Sequence, residues 1–251
     1  MIEVKYPDKE KKEKSISFIC EQTNRKKKNV FAFLISSYRE IGISVILKNS
    51  VFIYLLSIVI YILGLALSLH LFKSAYNNEK VFADVLSLFF FAAPVVTQLS
   101  ELLYFTCESS SGMLEYRNSY KYTAYQVSLL RMPLFSVAAM GVNCVIAVVW
   151  CLRNGISNVL APIGLIACSV FIYALVNAAF FTRFQHAGFV ITAVLWFAIN
   201  GVLFTLGTKT KIALFVSVPF ALHAAFAAVL VLVFVKVVQK SYLKPVCLIT
   251  E

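Results

Sequence analysis

The chain has 251 residues, of which 60% are hydrophobic and only 14% are charged. A soluble domain carries about 25% charged residues, and a globule of this size has too much surface to hide so much apolar material from water. The composition therefore excludes a soluble enzyme and a disordered chain. The net charge of +11 is not carried on a soluble basic face, so we expect no nucleic acid as a partner.

The first 50 residues are more polar than the rest of the chain. Residues 1–29 contain several basic runs, and we interpret them as a solvated, cytosolic basic tail; attraction to anionic lipid is the alternative. In residues 30–50, apolar residues recur every three or four positions, which predicts an amphipathic helix in the membrane interface. A loose extension of the first span is the alternative. The apolar positions are Phe31, Leu34, Ile35, Tyr38, Ile41 and Val45.

Six later segments each have the roughly 20 apolar residues that a helix needs to cross the bilayer core. Continuous apolar runs of this length exclude lipid-exposed strands. We therefore predict an all-α polytopic membrane protein, with a six-helix transmembrane domain over residues 51–236 and a cytosolic tail over 237–251. The predicted spans are Val51–Leu71, Val81–Phe105, Val127–Cys151, Val159–Phe181, Ala187–Leu206 and Ile212–Val235.

Charge distribution predicts the orientation of these spans. Six spans place both termini on one side, and 18 of the 23 Lys and Arg residues then lie on that side. The positive-inside rule predicts that both termini are cytosolic, and we expect an integral protein of a bacterial plasma membrane. The outer connections are short, and the connection Gly207–Lys211 between the fifth and sixth spans leaves no room for a further helix.

The sequence contains no motif for catalysis, nucleotide binding or metal binding. A phosphate-binding loop requires glycines at fixed spacing before Lys-Ser/Thr, and the segment Gly207–Thr210 lacks that spacing. We therefore predict no enzyme activity and no cofactor in this chain. The six cysteines do not predict a disulfide framework. No histidine shares a helical turn with a second histidine and an acid, which excludes a zinc site of the His-Glu-x-x-His type; the histidines are His70, His186 and His223.

Polar residues within the predicted spans are costly in hydrocarbon and are therefore candidates for function. Asp84 and Glu101 are 17 residues apart, about 26 Å along one helix, so we expect one near each membrane face. Arg131 is close to the inner face, where it either pairs with Glu101 or is solvated separately. Uncharged polar residues either line a cargo path or form hydrogen bonds between helices; they are Gln98, Asn143, Asn177 and Asn200, with His223.

The segment between the second and third spans, residues 106–126, carries the most informative motif. From Glu108 it reads Glu-Ser-Ser-Ser-Gly-Met-Leu-Glu-Tyr-Arg-Asn-Ser, and Arg131 follows as the chain re-enters the membrane. This order of acid, glycine, apolar pair, second acid, serine and basic residue resembles ATP-binding-cassette type 2 exporter permeases. The turn lacks the proline often found after the serine, and an arginine replaces the usual lysine. The matching residues are Glu108, Gly112, Met113, Leu114, Glu115, Ser119 and Arg131.

The resemblance implies a function for this segment. In that family it is a cytosolic coupling segment that docks into a groove of a separate ATPase subunit, and here Met113, Leu114 and Tyr116 would supply apolar contacts. It implies a permease that works with two ATPases, which hold ATP and Mg, and with a second, identical or different permease within membrane lipid. We expect export of an apolar or amphipathic cargo such as a peptide, antimicrobial compound or lipid. An ion-coupled secondary carrier and a non-transporting membrane scaffold or sensor are the alternatives.

Overall fold

The computed structural model describes residues 30–43, 50–71, 79–110, 124–156, 158–184 and 186–242. Within these ranges the chain is helical and has no strand, which confirms the prediction of an all-α protein. The helices in chain order are α1 (Val30–Ile41), α2 (Ser50–Leu71), α3 (Glu79–Ala92), α4 (Val95–Ser110), α5 (Ala124–Arg153), α6 (Leu160–Phe184), α7 (His186–Thr205), α8 (Thr208–Phe215) and α9 (Phe220–Tyr242).

In the described part of the chain, five helical segments are long and apolar enough to cross a membrane, as is typical of an integral membrane protein. The predicted first span coincides with α2, in which Val51–Gly64 is a shorter apolar stretch. Six spans and cytosolic termini therefore stay predictions. The five segments are Phe82–Tyr104, Gln126–Arg153, Leu160–Phe184, Ala187–Thr205 and Phe220–Ser241.

Helix α6 is the centre of the bundle. It packs against α3, α5, α7 and α9, and more than half of its residues are buried. By contrast, α7 and α9 have broad exposed apolar faces that include Val194, Phe197, Leu222 and Phe226. Apolar residues on all sides of a helix are expected where one side packs on protein and the other faces lipid. Helices α3, α5, α7 and α9 are therefore positioned by their contacts with α6.

The turn from α6 into α7 depends on a glycine. A Cβ atom added at Gly188 would lie 2.6 Å from the backbone carbonyl carbon of Phe180. Real Cβ atoms do not approach backbone this closely, so a larger residue would push the two helices apart. Gly188 therefore fixes the close approach of α7 to the end of α6.

Helix α1 is amphipathic, as predicted, and packs against α9. It buries Leu34, Ser37 and Ile41, whereas Ile35, assigned above to the apolar face, is 67% exposed. Gly42 follows in the left-handed region with φ of 86° and ends the helix, which argues against an extension of the first span. A position in the membrane interface stays a prediction.

The predicted second span, Val81–Phe105, is not one continuous helix. Helix α3 ends at Ala92, the chain turns at Ala93 and Pro94, and α4 begins at Val95. The ring of a proline clashes with the preceding helical turn, and its nitrogen has no hydrogen to donate. The segment Phe82–Tyr104 is still apolar and long enough to cross a membrane, and only the expectation of one unbroken helix from Asp84 to Glu101 is wrong.

The predicted sixth span begins too early, and an additional helix precedes it. Helix α8 occupies Thr208–Phe215, and α9 begins only at Phe220, directly after Pro219. The expectation that Gly207–Lys211 leaves no room for a further helix is therefore wrong. The physical reason is that Phe215 packs into an apolar cluster with α3 and α6, so this apolar stretch covers the bundle instead of crossing the membrane.

Candidate functional site

The break between α3 and α4 leaves backbone carbonyl groups without helical donors inside the bundle. Because Pro94 has no N–H, the Phe90 carbonyl four residues earlier loses its partner. The Ser169 hydroxyl of α6 donates a hydrogen bond to that carbonyl instead. The Trp196 indole N–H of α7 donates to the next carbonyl, of Phe91, with an N···O distance of 3.1 Å.

A third side chain, Asn143 of α5, binds the same break. Its Nδ2 donates to the Ala93 carbonyl at 3.1 Å and to the Ala139 carbonyl of its own helix at 2.8 Å. Its Oδ1 accepts a hydrogen bond from the Tyr61 hydroxyl of α2. Both amide hydrogens and the oxygen are thus in use, and the side chain is fully buried. Asn143 therefore joins helices, which is the second of the two roles considered for it.

Helices α5, α6 and α7 thus each supply one donor to the break. A buried carbonyl without a partner costs about 1–3 kcal/mol, and in hydrocarbon the cost is higher. Discontinuous helices are tolerated in membranes only where such groups are satisfied, and in transporters they commonly form the substrate site. The break is therefore a specified feature of this fold, and it lies where three helices converge.

A polar cluster on α4 follows the break. The Glu101 carboxylate accepts a hydrogen bond from Asn177 Nδ2 of α6, with an N···O distance of 2.6 Å. Gln98, one turn earlier on α4, is 3% exposed and Asn177 is 1% exposed. Among the described residues, neither Gln98 Nε2 nor Asn177 Oδ1 has a hydrogen-bond partner. The structure therefore places two residues of the predicted cargo path next to Glu101, Asn177 through a hydrogen bond and Gln98 one turn away along α4.

Arg131 of α5 completes this cluster. Its guanidinium lies over the Tyr104 ring of α4, 3.8 Å from the centroid, and it is close enough to attract the Glu101 carboxylate. Arg131 is only 5% exposed, so the alternative in which it is solvated on its own is wrong. The contact joins α4 to α5, which are the two helices on either side of the segment 111–123.

A second polar contact lies on the other half of the broken span. Lys211 Nζ of α8 lies 2.8 Å from Asp84 Oδ1 of α3, and the two side chains are 8% and 36% exposed, respectively. The sequence analysis places Lys211 in an outer connection and does not predict this pair. The available signal was Asp84 itself, because an acid in an apolar span requires a cation or a donor nearby.

The remaining predicted path residues are not part of the cluster. Asn200 donates to the Trp196 carbonyl of its own helix at 2.8 Å. His223 of α9 is buried, its Nδ1 has no partner among the described residues, and its carbonyl lies 3.3 Å from Cys168 Sγ. Cys168 precedes Asn177 by nine residues, about 13 Å along α6, so His223 lies well away from Glu101.

Most of the predicted coupling residues lie outside the described residues. Glu108 falls within α4 and Arg131 within α5. In the helical ranges that the structure describes, no three His, Cys, Asp or Glu side chains form a group that could hold a metal ion. The coupling residues outside the described ranges are Gly112, Met113, Leu114, Glu115, Tyr116 and Ser119.

No family model, curated protein or solved structure matches this chain. The resemblance to type 2 exporter permeases therefore depends on the motif between α4 and α5 and on the helical architecture around it.

Proposed function

We propose that this chain is the permease subunit of an ATP-binding-cassette exporter in a bacterial plasma membrane. It moves an apolar or amphipathic cargo, and a separate ATPase subunit that binds ATP and Mg supplies the energy. A second permease, identical or different, completes the complex. Residues 106–126 are the cytosolic coupling segment, in which Glu108, Gly112 and Glu115 give directional contacts and Met113, Leu114 and Tyr116 give apolar ones.

The observation that carries this proposal is the contact between Arg131 and Tyr104 across the two helices that flank the coupling segment. A force applied to the segment by an ATPase acts on α4 and α5 together, because this contact holds them as a pair. Helix α4 is in turn bound to α6 through Glu101 and Asn177. Movement of the segment therefore reaches the centre of the bundle through two adjacent side-chain contacts.

The broken span gives this movement a pivot. Because α3 and α4 are separate helices, α4 can tilt while α3 stays bound to α8 through Asp84 and Lys211. Opening the contact of Glu101 with Asn177 opens the bundle on one side of the break, and opening the pair of Asp84 and Lys211 opens it on the other. Two states that differ in this way are what alternating access requires.

Co-purification tests the proposal. The tagged full chain, expressed in its native host, is expected to retain an ATPase that is lost with Glu115→Arg and with Gly112→Pro. Asn158→Arg, an exposed change in the connection between α5 and α6, is the matched control and is expected to retain it. The proposal fails if the unaltered chain binds no ATPase, or if the two coupling variants bind it as well as the control does.

A second candidate function, an ion-coupled secondary carrier, is favoured by one observation. Glu101 is an acid bound within the bundle, and ionisable residues inside membrane spans commonly belong to ion or proton pathways. Transport into proteoliposomes driven by an imposed ion gradient without nucleotide, and lost with Glu101→Gln, would establish this candidate. Transport that requires the ATPase and ATP would reject it.

A further inference from the structure

Two buried polar residues next to Glu101 each have a side-chain atom that lacks a hydrogen-bond partner in the part of the chain that the structure describes. The atoms are Nε2 of Gln98, a donor, and Oδ1 of Asn177, an acceptor. The two residues are 3% and 1% exposed, so bulk water does not reach them in this conformation. Native proteins rarely leave such atoms unpaired, because each costs about 1–3 kcal/mol. An open donor and an open acceptor on two neighbours of Glu101 indicate a ligand.

Both residues are neighbours of Glu101. Asn177 Nδ2 lies 2.6 Å from Glu101 Oε2, and Gln98 precedes Glu101 by three residues, on the same face of α4. Tyr173 precedes Asn177 by one turn of α6 and lies close enough for the Glu101 charge to act on it. Arg131 of α5 adds a buried cation close to the Glu101 carboxyl group.

We propose that Gln98 and Asn177 form a binding site for the neutral hydrogen-bonding group, an amide or a hydroxyl, of an apolar ligand. Such a group has one acceptor for Gln98 Nε2 and one donor for Asn177 Oδ1. A pure hydrocarbon satisfies neither atom, and an ammonium group has no acceptor for Gln98. The ligand enters when α4 and α6 separate. In the proposed function, on which this identification depends, the ligand is the cargo.

Fluorescence quenching tests the site in the full chain, reconstituted in lipid nanodiscs. The chain has two tryptophans, and Trp150→Phe leaves Trp196, whose ring lies 5.7 Å from the Tyr173 ring beside the site. The probes are 5-bromoundecanol, 5-bromoundecanamide and 5-bromoundecane, which carry the bromine nearer the polar group than a terminal bromine would be, since bromine quenches tryptophan only at short range. The alcohol, the amide or both are expected to quench at a half-saturating concentration about tenfold below that of the alkane, which is the worth of about one hydrogen bond.

Variants localise the effect. Gln98→Met and Asn177→Leu, each in the Trp150→Phe background, are expected to reduce the quenching to that of the alkane. His223→Leu removes another buried polar side chain, on α9 near Cys168, and Cys168 is about 13 Å from Asn177 along α6. This variant is expected to leave the quenching unchanged. Because the two site variants lie on different helices, either one suffices if the other does not fold. A preference for only the alcohol or only the amide identifies the group that is bound.

The proposal is overturned if the polar probes quench no better than the alkane, or if their advantage survives both site variants. This experiment contains no ATPase, so its failure is distinct from failure of the proposed function. Selective quenching without a bound ATPase would leave the site in place and remove the exporter. A bound ATPase without selective quenching would support the exporter and reject the binding site.

Discussion

The Arg131 guanidinium lies 3.8 Å from the centroid of the Tyr104 ring and so joins α5 to α4. A desolvated contact of a cation with an aromatic ring contributes about 2 kcal/mol. We expect Tyr104→Leu to lose most of this stabilisation and to uncouple ATP hydrolysis from transport, whereas Tyr104→Phe keeps the ring and both properties. Thermal unfolding in nanodiscs and transport per ATP hydrolysed measure the two effects. Equal losses in the two variants would assign the role to the hydroxyl and contradict the ring contact.

Replacing the proline at the break separates its role in folding from its role in transport. Pro94→Ala supplies an N–H to the Phe90 carbonyl, which then no longer needs the Ser169 hydroxyl, and so favours a straight helix through the turn. We expect a folded protein that transports poorly, measured by cargo flux in proteoliposomes. Pro133→Ala is the matched control, because Pro133 lies inside the continuous helix α5. Similar flux in the two variants would mean that the break has no role in movement.

Substitution of two buried asparagines compares the stabilising effect of hydrogen bonds between helices with that of a hydrogen bond within one helix. Asn143→Leu leaves the Ala93 carbonyl and the Tyr61 hydroxyl without their partners, so we expect the free energy of unfolding to fall by about 1–3 kcal/mol for each. Asn200→Leu removes a bond to its own helix and is expected to cost less. Unfolding in mixed detergent and dodecyl sulfate measures both. Equal losses would show that Asn143 does not hold the break.

Two glycines of α7 provide a test of close packing. Gly188→Ala would place its Cβ 2.6 Å from the Phe180 backbone, and we expect a loss of about 1–3 kcal/mol from the displaced helices. Gly201→Ala has no atom within 4 Å of the new Cβ and is expected to stabilise the helix by up to about 1 kcal/mol. Thermal unfolding midpoints should therefore move in opposite directions. A shift in the same direction would contradict the tight approach of α6 and α7.

The ion pair on the other half of the broken span is open to a double-mutant cycle. Lys211 is nearly buried while Asp84 is about one-third exposed, so Lys211→Met and Asp84→Asn should each destabilise the protein. The double variant should lose less than the two single losses combined, with a coupling energy of about 1–3 kcal/mol for a hydrogen bond between charged groups. Additive losses would show that α8 is not held to α3 by this pair.

The long apolar runs predicted the helices well where a span is continuous. Helices α5, α6 and α7 follow the predicted third, fourth and fifth spans, because an uninterrupted apolar run has few other structures available in a membrane. The break was missed because apolar residues continue directly on both sides of Pro94, so hydropathy alone does not show an interruption. Its side-chain donors Asn143, Ser169 and Trp196 are 50, 79 and 105 residues away from their acceptors, and no local pattern connects them.

The sequence predicted which polar residues form the cluster around Glu101, but it did not predict which of them are neighbours in the fold. Gln98 and Asn177 were selected because amides are rare in apolar helices, which is a local signal. Their common neighbour Glu101 is 76 residues from Asn177, and Lys211 is 127 residues from Asp84. The sixth span was predicted to begin too early for a similar reason. Hydropathy around Ile212 does not distinguish the separate short helix α8 from the first turns of a membrane span.

The order of the chain has a consequence for how the broken span is made. Asn143, Ser169 and Trp196 are all translated after the carbonyl groups that they bind. The broken span that α3 and α4 form thus leaves the ribosome before any of its three side-chain donors has been made. The Phe91 carbonyl is bound only once α7, which carries Trp196, is in place. This part of the fold is therefore complete only after α7 has been made, and a nascent chain that ends after α6 lacks the donor to the Phe91 carbonyl.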